Sequence, residues 1–319
     1  MNRKTKIFLA GVALVFAVCV WFLGIASNLD KNESVRIKRG ASVGSVAAIL
    51  EKRGMINDAD VFKVIVLGFG GEIQAGNYDF MRGTSVWKMA EMLARGDIAS
   101  TTIIIPEGLT TKQIVIELNK NGFLTGNACK AKCPADGELF PDTYRVAKGT
   151  SRAAVMDLMR GKMSEFQNAW QMSGGYAPAP LRSWNDIITL ASIVQKETPK
   201  VSEMPIVASV YLNRLNTKMK LQADPTIVYF LTDKLGDMQG APLLSSHLQL
   251  SSPYNTYRNY GLPPTPIANP GREAISAVLN PAKTSYLFFV ADGAGGHNFS
   301  VDFAGHQENR KIWRQAKKK

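Results

Sequence analysis

At 319 residues the chain has room for two domains, or for one domain with a sizeable appendage. Its 38 Lys and Arg against 26 Asp and Glu leave a net charge of +12, which suits an anionic partner such as a cell wall, a membrane surface or a nucleic acid. The basic residues are dispersed and no nucleic-acid motif accompanies them, which argues against nucleic acid.

The run Ile7 to Ile25 is apolar and uncharged, ~28 Å of helix and close to the thickness of a bilayer core. Arg3, Lys4 and Lys6 precede it, so the positive-inside rule leaves residues 1–6 in the cytoplasm and exports the rest. Gly24-Ile25-Ala26 offers a competing cleavage site, but the run is longer than a usual signal core and favours a retained anchor. Val18 before Cys19 does not suit a lipoprotein anchor.

After a polar spacer the same unit recurs: strand, glycine turn, Ser or Thr cap, amphipathic helix. Val35–Lys38 leads through Gly40 and Ser42 to a helix carrying Val43, Val46, Ala47 and Leu50. Gly83 and Ser85 precede Val86, Met89, Ala90 and Leu93; Gly108 and Thr110 precede Ile114, Val115 and Leu118. A fainter copy begins at Lys148-Gly-Thr-Ser151. The spacing is uneven, which argues against a solenoid. The first unit adds a second helix near Asp60 to Leu67 and a strand from Ile73 to Phe80, and in that order it resembles a LysM-like module. Such modules bind N-acetylglucosamine-containing glycans; a generic strand–helix packing unit is the alternative. Cys129 and Cys133, as C-x3-C, suit a local structural disulfide in an oxidising compartment rather than a metal site.

Trp184 to Glu197 reads as one helix, capped by Ser183 with Asp186 three residues on and stopped by Thr198-Pro199. Ile187, Leu190, Ala191 and Val194 form its apolar stripe, and Glu197 continues that stripe. Desolvation and the negative end of the helix dipole both raise a carboxyl pKa, and a glutamate protonated near neutral pH can act as a general acid. The alternative is a glutamate that reaches solvent at a frayed helix end. A further helix is expected from Glu203 to Leu215. The run Ser285–Val290 reads as a central strand buried on both faces.

Three later segments alternate polar groups with aromatic rings or prolines: Leu221-Gln-Ala-Asp-Pro-Thr226, Ser251-Ser-Pro-Tyr-Asn-Thr-Tyr257 and Gly261 to Gly271. Aromatic faces stack on pyranose rings while amides and hydroxyls address sugar hydroxyls, so together they suit a saccharide groove. The three histidines, His247, His297 and His306, stand in no H-x3-H or HExxH context, which leaves little room for a metal hydrolase.

Leu190-Ala-Ser-Ile-Val-Gln-Lys-Glu-Thr198, Leu221 to Thr226, Tyr254-Asn-Thr-Tyr257 and Gly261 to Ile267 with Asn269-Pro-Gly271 resemble the signature segments of the MltG/YceG-like endolytic murein transglycosylases. Glu107 to Thr110, Leu139 to Tyr144 and Gly296-His297-x-Phe299-Ser300 are similar to further segments of that family, in the same order. The Gly305-His306-Gln307-Glu308-Asn309 run departs from the Glu-His-Asn run usual there.

The resemblance implies non-hydrolytic cleavage of the MurNAc–GlcNAc β-1,4 bond within peptidoglycan glycan strands, with 1,6-anhydro-MurNAc ends. Glu197 would be general acid and then base, and Gln222, Asp224, Asn255, Thr256 and Tyr257 would bind substrate. It implies no metal or organic cofactor, and coupling to peptidoglycan synthases. A muramidase using water would need Asp224 or Glu203 as second carboxylate, and a membrane-anchored glycan-binding scaffold would need none.

The expected fold is α+β: a transmembrane anchor at 7–25, a LysM-like subdomain at 35–80, strand–helix units at 81–180 and a mixed α/β catalytic domain at 181–319, with the Glu197 helix against a sheet. The expected place is the cytoplasmic (inner) membrane, single-pass, with the catalytic part exported.

Overall fold

The computed structural model describes residues 29–129, 131–236 and 243–316, with Gly11 alone before them. The expected anchor at 7–25 lies outside the described residues. Among those described, no helix is long and apolar enough to cross a membrane. The chain is mixed in α and β, with short two-stranded sheets, as an α+β reading expects. It divides into two compact units, one of residues up to Thr102 together with Arg145–Thr150, the other of Ile103–Tyr144 and Ser151 onward.

The smaller unit is built on β1 (Glu33–Ile37) and β2 (Gly76–Phe80), antiparallel with Val35 opposite Tyr78. Alternation puts Val35, Ile37, Tyr78 and Phe80 on the buried face. Between the strands run α1 (Val43–Lys52) and α2 (Ala59–Gly68), followed by α3 (Val86–Arg95). Of the expected stripes, Val46, Ala47 and Leu50 on α1 are buried while Val43 is only partly so, and on α3 Val86, Met89, Ala90 and Leu93 are all buried. The repeated turn and cap also form. Ser42 and Ser85 accept from the backbone N–H three residues on, at 3.2 Å each. The turn glycine lies two residues before each cap, and Gly83 (φ +78°) and Gly108 (φ +75°) occupy the left-handed region that a side chain would strain.

A pair of short strands, β3 (Ser100–Ile104) and β4 (Thr143–Ala147), carries the chain out of the smaller unit and back. In the larger unit, α4 (Thr111–Lys120) opens with a complete Thr110/Gln113 capping box, and α5 (Arg152–Met172) is capped by Ser151. Cys129 and Cys133 are joined in a disulfide.

The larger unit's core is a helical cluster. α6 (Trp184–Glu197) packs against α7 (Met204–Asn216), α8 (Asp224–Tyr229) and α9 (Arg272–Leu279). Two expectations are corrected here. All eight residues from Ile187 to Val194 are buried, so α6 is enclosed on all sides, by the helices it packs against and by loops such as 266–271, instead of lying with one stripe on a sheet. The run 285–290 is not a central strand either. Only β5 (Phe288–Ala291) forms, paired with β6 (His297–Ser300) in an antiparallel hairpin, and Phe288 and Phe289 remain partly exposed. Its aromatic run serves one face against α7, where Phe289 meets Tyr211 edge-on at 5.9 Å, and the wall of an open cleft. α10 (Phe303–Ala316) packs on the hairpin.

Candidate active site

Helix α6 delivers Glu197 at its last turn. Its start is held by a reciprocal Ser183/Asp186 capping box, and its end by Thr198, which takes an extended conformation before Pro199. In mid-helix the buried Ser192 hydroxyl donates to the Thr189 carbonyl and accepts from the Ile267 N–H at 3.0 Å. This ties the proline-rich loop to α6.

A second tie lies one turn from Glu197, where Gln195 Oε1 accepts from the Gly271 N–H at 2.9 Å. Between them stands Asn269, fully buried. Its side-chain oxygen accepts from the Gly137 and Leu139 N–H groups (2.9 and 3.0 Å), and its Nδ2 donates to the Leu109 carbonyl at 3.0 Å. One amide thus joins the Glu107–Thr110, Glu138–Tyr144 and Asn269–Gly271 segments, with each of its polar atoms hydrogen-bonded. Gly137 (φ +86°) permits the approach, since a Cβ there would lie 2.7 Å from both Ile188 and Pro266.

Glu197 itself is only partly covered as a residue, but its carboxyl is deep-set. Tyr211 donates to Glu197 Oε1 at 2.6 Å. Burial pushes the carboxyl up to about 7; the Tyr211 hydrogen bond pulls against that, the Asp224 charge adds to it, and the Arg214 charge opposes it. Tyr211 is itself held well above its usual range, by burial first and then by the neighbouring Glu197 charge. Arg214, one helical turn on from Tyr211, is 7% exposed. Its guanidinium donates to the Leu287 and Leu221 carbonyls (2.7 and 2.6 Å) and lies over the Phe288 ring at 5.4 Å. It is a fixed cation that stitches three segments together beside the acid.

Two clefts flank this carboxyl. One, of about 450 Å3, is walled by Tyr211, Arg214, Gln222, Tyr257, Phe288 and Phe289, with Phe303, His306 and Arg310 of α10 beyond them. The other, of about 320 Å3, is lined by Thr110, Gln113, Lys196, Val228 and Tyr229, among others. Glu197 and Asp224 line both. The second cleft shares Thr110, Tyr229 and Asp233 with a further recess of about 520 Å3 that reaches Cys133 of the disulfide loop. An extended trough therefore runs past the acid, open on both sides of it.

Of the residues expected to bind substrate, the structure brings Gln222, Asp224 and Tyr257 into the first cleft. Asp224 is exposed at the start of α8 and accepts a hydrogen bond from the Tyr257 hydroxyl. Gln222 is exposed, with its backbone in the left-handed region at φ +49°, a strained conformation for a non-glycine residue. Asn255 and Thr256 lie beneath the surface instead. Asn255 Nδ2 donates to the Leu248 and Leu250 carbonyls, and Thr256 Oγ1 accepts from the Ala223 N–H at 3.0 Å. With 0% and 1% exposure they line neither cleft and do not reach a ligand there; they fix the loops that carry Gln222, Asp224 and Tyr257.

Glu203, the other expected second carboxylate, is also withdrawn from the trough. His297 Nδ1 meets its Oε2 at 2.7 Å, and the His297 N–H donates to Oε1 at 3.2 Å. Burial raises its pKa most, but the bonds and charge of His297 with Lys200 outweigh it and leave the carboxyl below its ordinary range.

Tyr211, Arg214, Phe288, Phe289 and Arg310 are cleft residues that sequence reasoning missed, and His306 lines the cleft from a run that departs from the family pattern. The one signal for any of them was the i, i+3 spacing of Tyr211 and Arg214, which puts both on one face of a helix.

Glu197 is thus a deep-set carboxyl with a cleft on either side, one of them walled by aromatic rings. The chain belongs to the YceG-like family, which it matches over residues 35–312. It is 28% identical to the endolytic murein transglycosylase of Bacillus subtilis, over 89% of this chain and 85% of that one. It is 27% identical to the endolytic murein transglycosylase of Streptococcus pneumoniae over 90% of this chain, and there it spans 58% of the relative's length. The 2.6 Å crystal structure of a yceG-like protein from Listeria monocytogenes superposes with a TM-score of 0.53 at 28% identity, covering 87% of this chain and 99% of that chain.

Proposed function

We propose that the protein is an endolytic murein transglycosylase, a lyase that cuts MurNAc–GlcNAc β-1,4 bonds inside peptidoglycan strands without adding water. The observation that carries this is Glu197: one carboxyl with its pKa raised to about 7, hydrogen-bonded by Tyr211, in the middle of a trough open on both sides. An open trough suits attack within a strand, whereas a closed pocket would suit an end.

In this reading protonated Glu197 donates its proton to the leaving glycosidic oxygen. The carboxylate so formed is stabilised by the Tyr211 hydroxyl and the Arg214 charge. It then takes the proton from the MurNAc C6 hydroxyl as that oxygen closes the 1,6-anhydro ring. The substrate supplies the nucleophile, so one carboxyl serves both steps. A hydrolytic muramidase is the second reading, because Asp224 lines both clefts with Glu197 and is the second carboxylate such chemistry would use.

The proposal extends to the rest of the chain. Residues 7–25 anchor it in the cytoplasmic membrane with the N-terminus inside and the catalytic part exported, as the flanking charges suggest. The β1–α1–α2–β2 order of the smaller unit supports a LysM-like, glycan-binding role for residues 35–80. Peptidoglycan synthases are the partners that the family resemblance implies.

The test is mass spectrometry of fragments released from purified strands by the exported part, with wild type beside Glu197→Gln. Internal products ending in 1,6-anhydro-MurNAc, lost in the variant, are expected. Reducing ends bearing added water would replace this reading with the hydrolase, and intact strands with retained binding would replace it with a glycan-binding scaffold.

A further inference from the structure

The cleft between Glu197 and α10 has a charge pattern that bond cleavage by Glu197 does not use. Arg310 lines it and is half-buried, and among the described residues no acidic group pairs with it. The neighbouring acids are engaged elsewhere: Glu308 with Lys311 at 3.1 Å, and Asp302 with the Gly305 N–H at 2.8 Å. Asp224 accepts from Tyr257, and the Arg214 guanidinium is turned to carbonyls.

Beside Arg310, His306 stacks on Phe288 at 5.3 Å, with Phe303 6.3 Å from the imidazole. Its buried Nδ1 has no hydrogen-bond partner. Burial first, then the Arg310 and Arg214 charges, hold its pKa below the ordinary value, so the imidazole is neutral at neutral pH and offers a polar edge rather than a second charge. An unneutralised, partly desolvated guanidinium beside an aromatic shelf suits a carboxylate carried next to a small apolar group.

We propose that this end of the cleft is an anion subsite, in which Arg310 pairs with a carboxylate borne by the lactyl arm of MurNAc while His306 and Phe288 pack against the adjacent methyl group. This rests on the glycan-cleaving reading above. The carboxylate has two possible sources in the polymer, the free lactyl acid of a stripped strand or the acidic residues of a stem peptide. The site is a specificity determinant, and Arg310 takes no part in proton transfer.

The experiment compares wild type, Arg310→Ala and Arg310→Lys on three strand preparations: peptide-bearing, stripped of peptides by an amidase, and stripped then methyl-esterified. For Arg310→Ala, KM should rise about tenfold on carboxylate-bearing strands with kcat little changed, because a charge-assisted hydrogen bond is lost. Arg310→Lys should recover part of that loss. Esterified strands should show no difference among the three proteins. A loss on stripped strands assigns the lactyl acid, and a loss confined to peptide-bearing strands assigns the stem; either supports the subsite. Equal KM for all proteins on all strands, or an equal loss on esterified strands, overturns it. Should wild type release no products, the same comparison by strand binding in a Glu197→Gln background decides the subsite separately. Arg310-dependent binding there would sustain it while the transglycosylase reading fell.

Discussion

The two units of the molecule differ in what they bury. Every buried polar or charged residue among the described ones falls in the larger unit, including Arg214, Asn255, Thr256 and Asn269. The smaller unit's buried residues are all apolar or aromatic, from Leu29 and Val35 to Leu93. An apolar core tolerates changes that conserve volume, whereas a buried polar network fails when one partner is lost. The larger unit gives up the simplicity of an apolar interior to hold loops, and one carboxyl, in a fixed arrangement.

The largest effect is expected at Glu197. Glu197→Gln should lower the rate of strand cleavage by about 10^3, within the range of general acid–base catalysis, as read by muropeptide mass spectrometry with an unchanged circular dichroism spectrum. A change in the larger unit's polar network should act on stability instead. Asn269→Ala, which strands the Gly137 and Leu139 N–H groups, should cost about 3 kcal/mol in urea denaturation, and a cost near zero would show that the three segments do not depend on it.

Glu197 should also be visible in the pH dependence of stability. Its pKa is raised by folding from 4.5 to about 7, so the folded state holds the proton more tightly. That contribution is fully present below about pH 4.5 and is lost as pH rises through about 7. Glu197→Gln should therefore gain on wild type above pH 7, by on the order of 3 kcal/mol, and the gain should vanish in acid.

Tyr211→Phe removes a hydrogen bond that favours the carboxylate, so the alkaline limb of the pH–rate profile should move up from about 7; a downward move would reverse the assigned role. The smallest effect is expected in the other unit. Ser85→Ala deletes the cap of α3 and should cost about 1 kcal/mol without altering the pH–rate profile.

Much of the chain was legible because its signals are local. Four turn-and-cap units, the Ser183/Asp186 box and the stop at Pro199 are each set within one helical turn, and each forms as its residues require. Misreadings came where one pattern serves two environments. The apolar run at 285–290 fits a buried strand and a cleft wall equally well, and the Asn255-Thr256 pair fits a sugar contact and a loop pin equally well. Helix α7, buried on many sides, showed no stripe to mark Tyr211 and Arg214 as facing a carboxyl.

By itself, then, the sequence determined the helices, their ends, the position of Glu197 at the close of a buried helix and the family resemblance. All of these follow from contacts between residues a few positions apart, or from motifs read in order. Only the tertiary structure decided that Tyr211 and Arg214 stand beside Glu197, that Asn269 joins segments from Leu109 to Gly271, and that Arg310 faces the cleft. Those relations depend on desolvation and on the meeting of distant segments. Neither acts until the helices have packed.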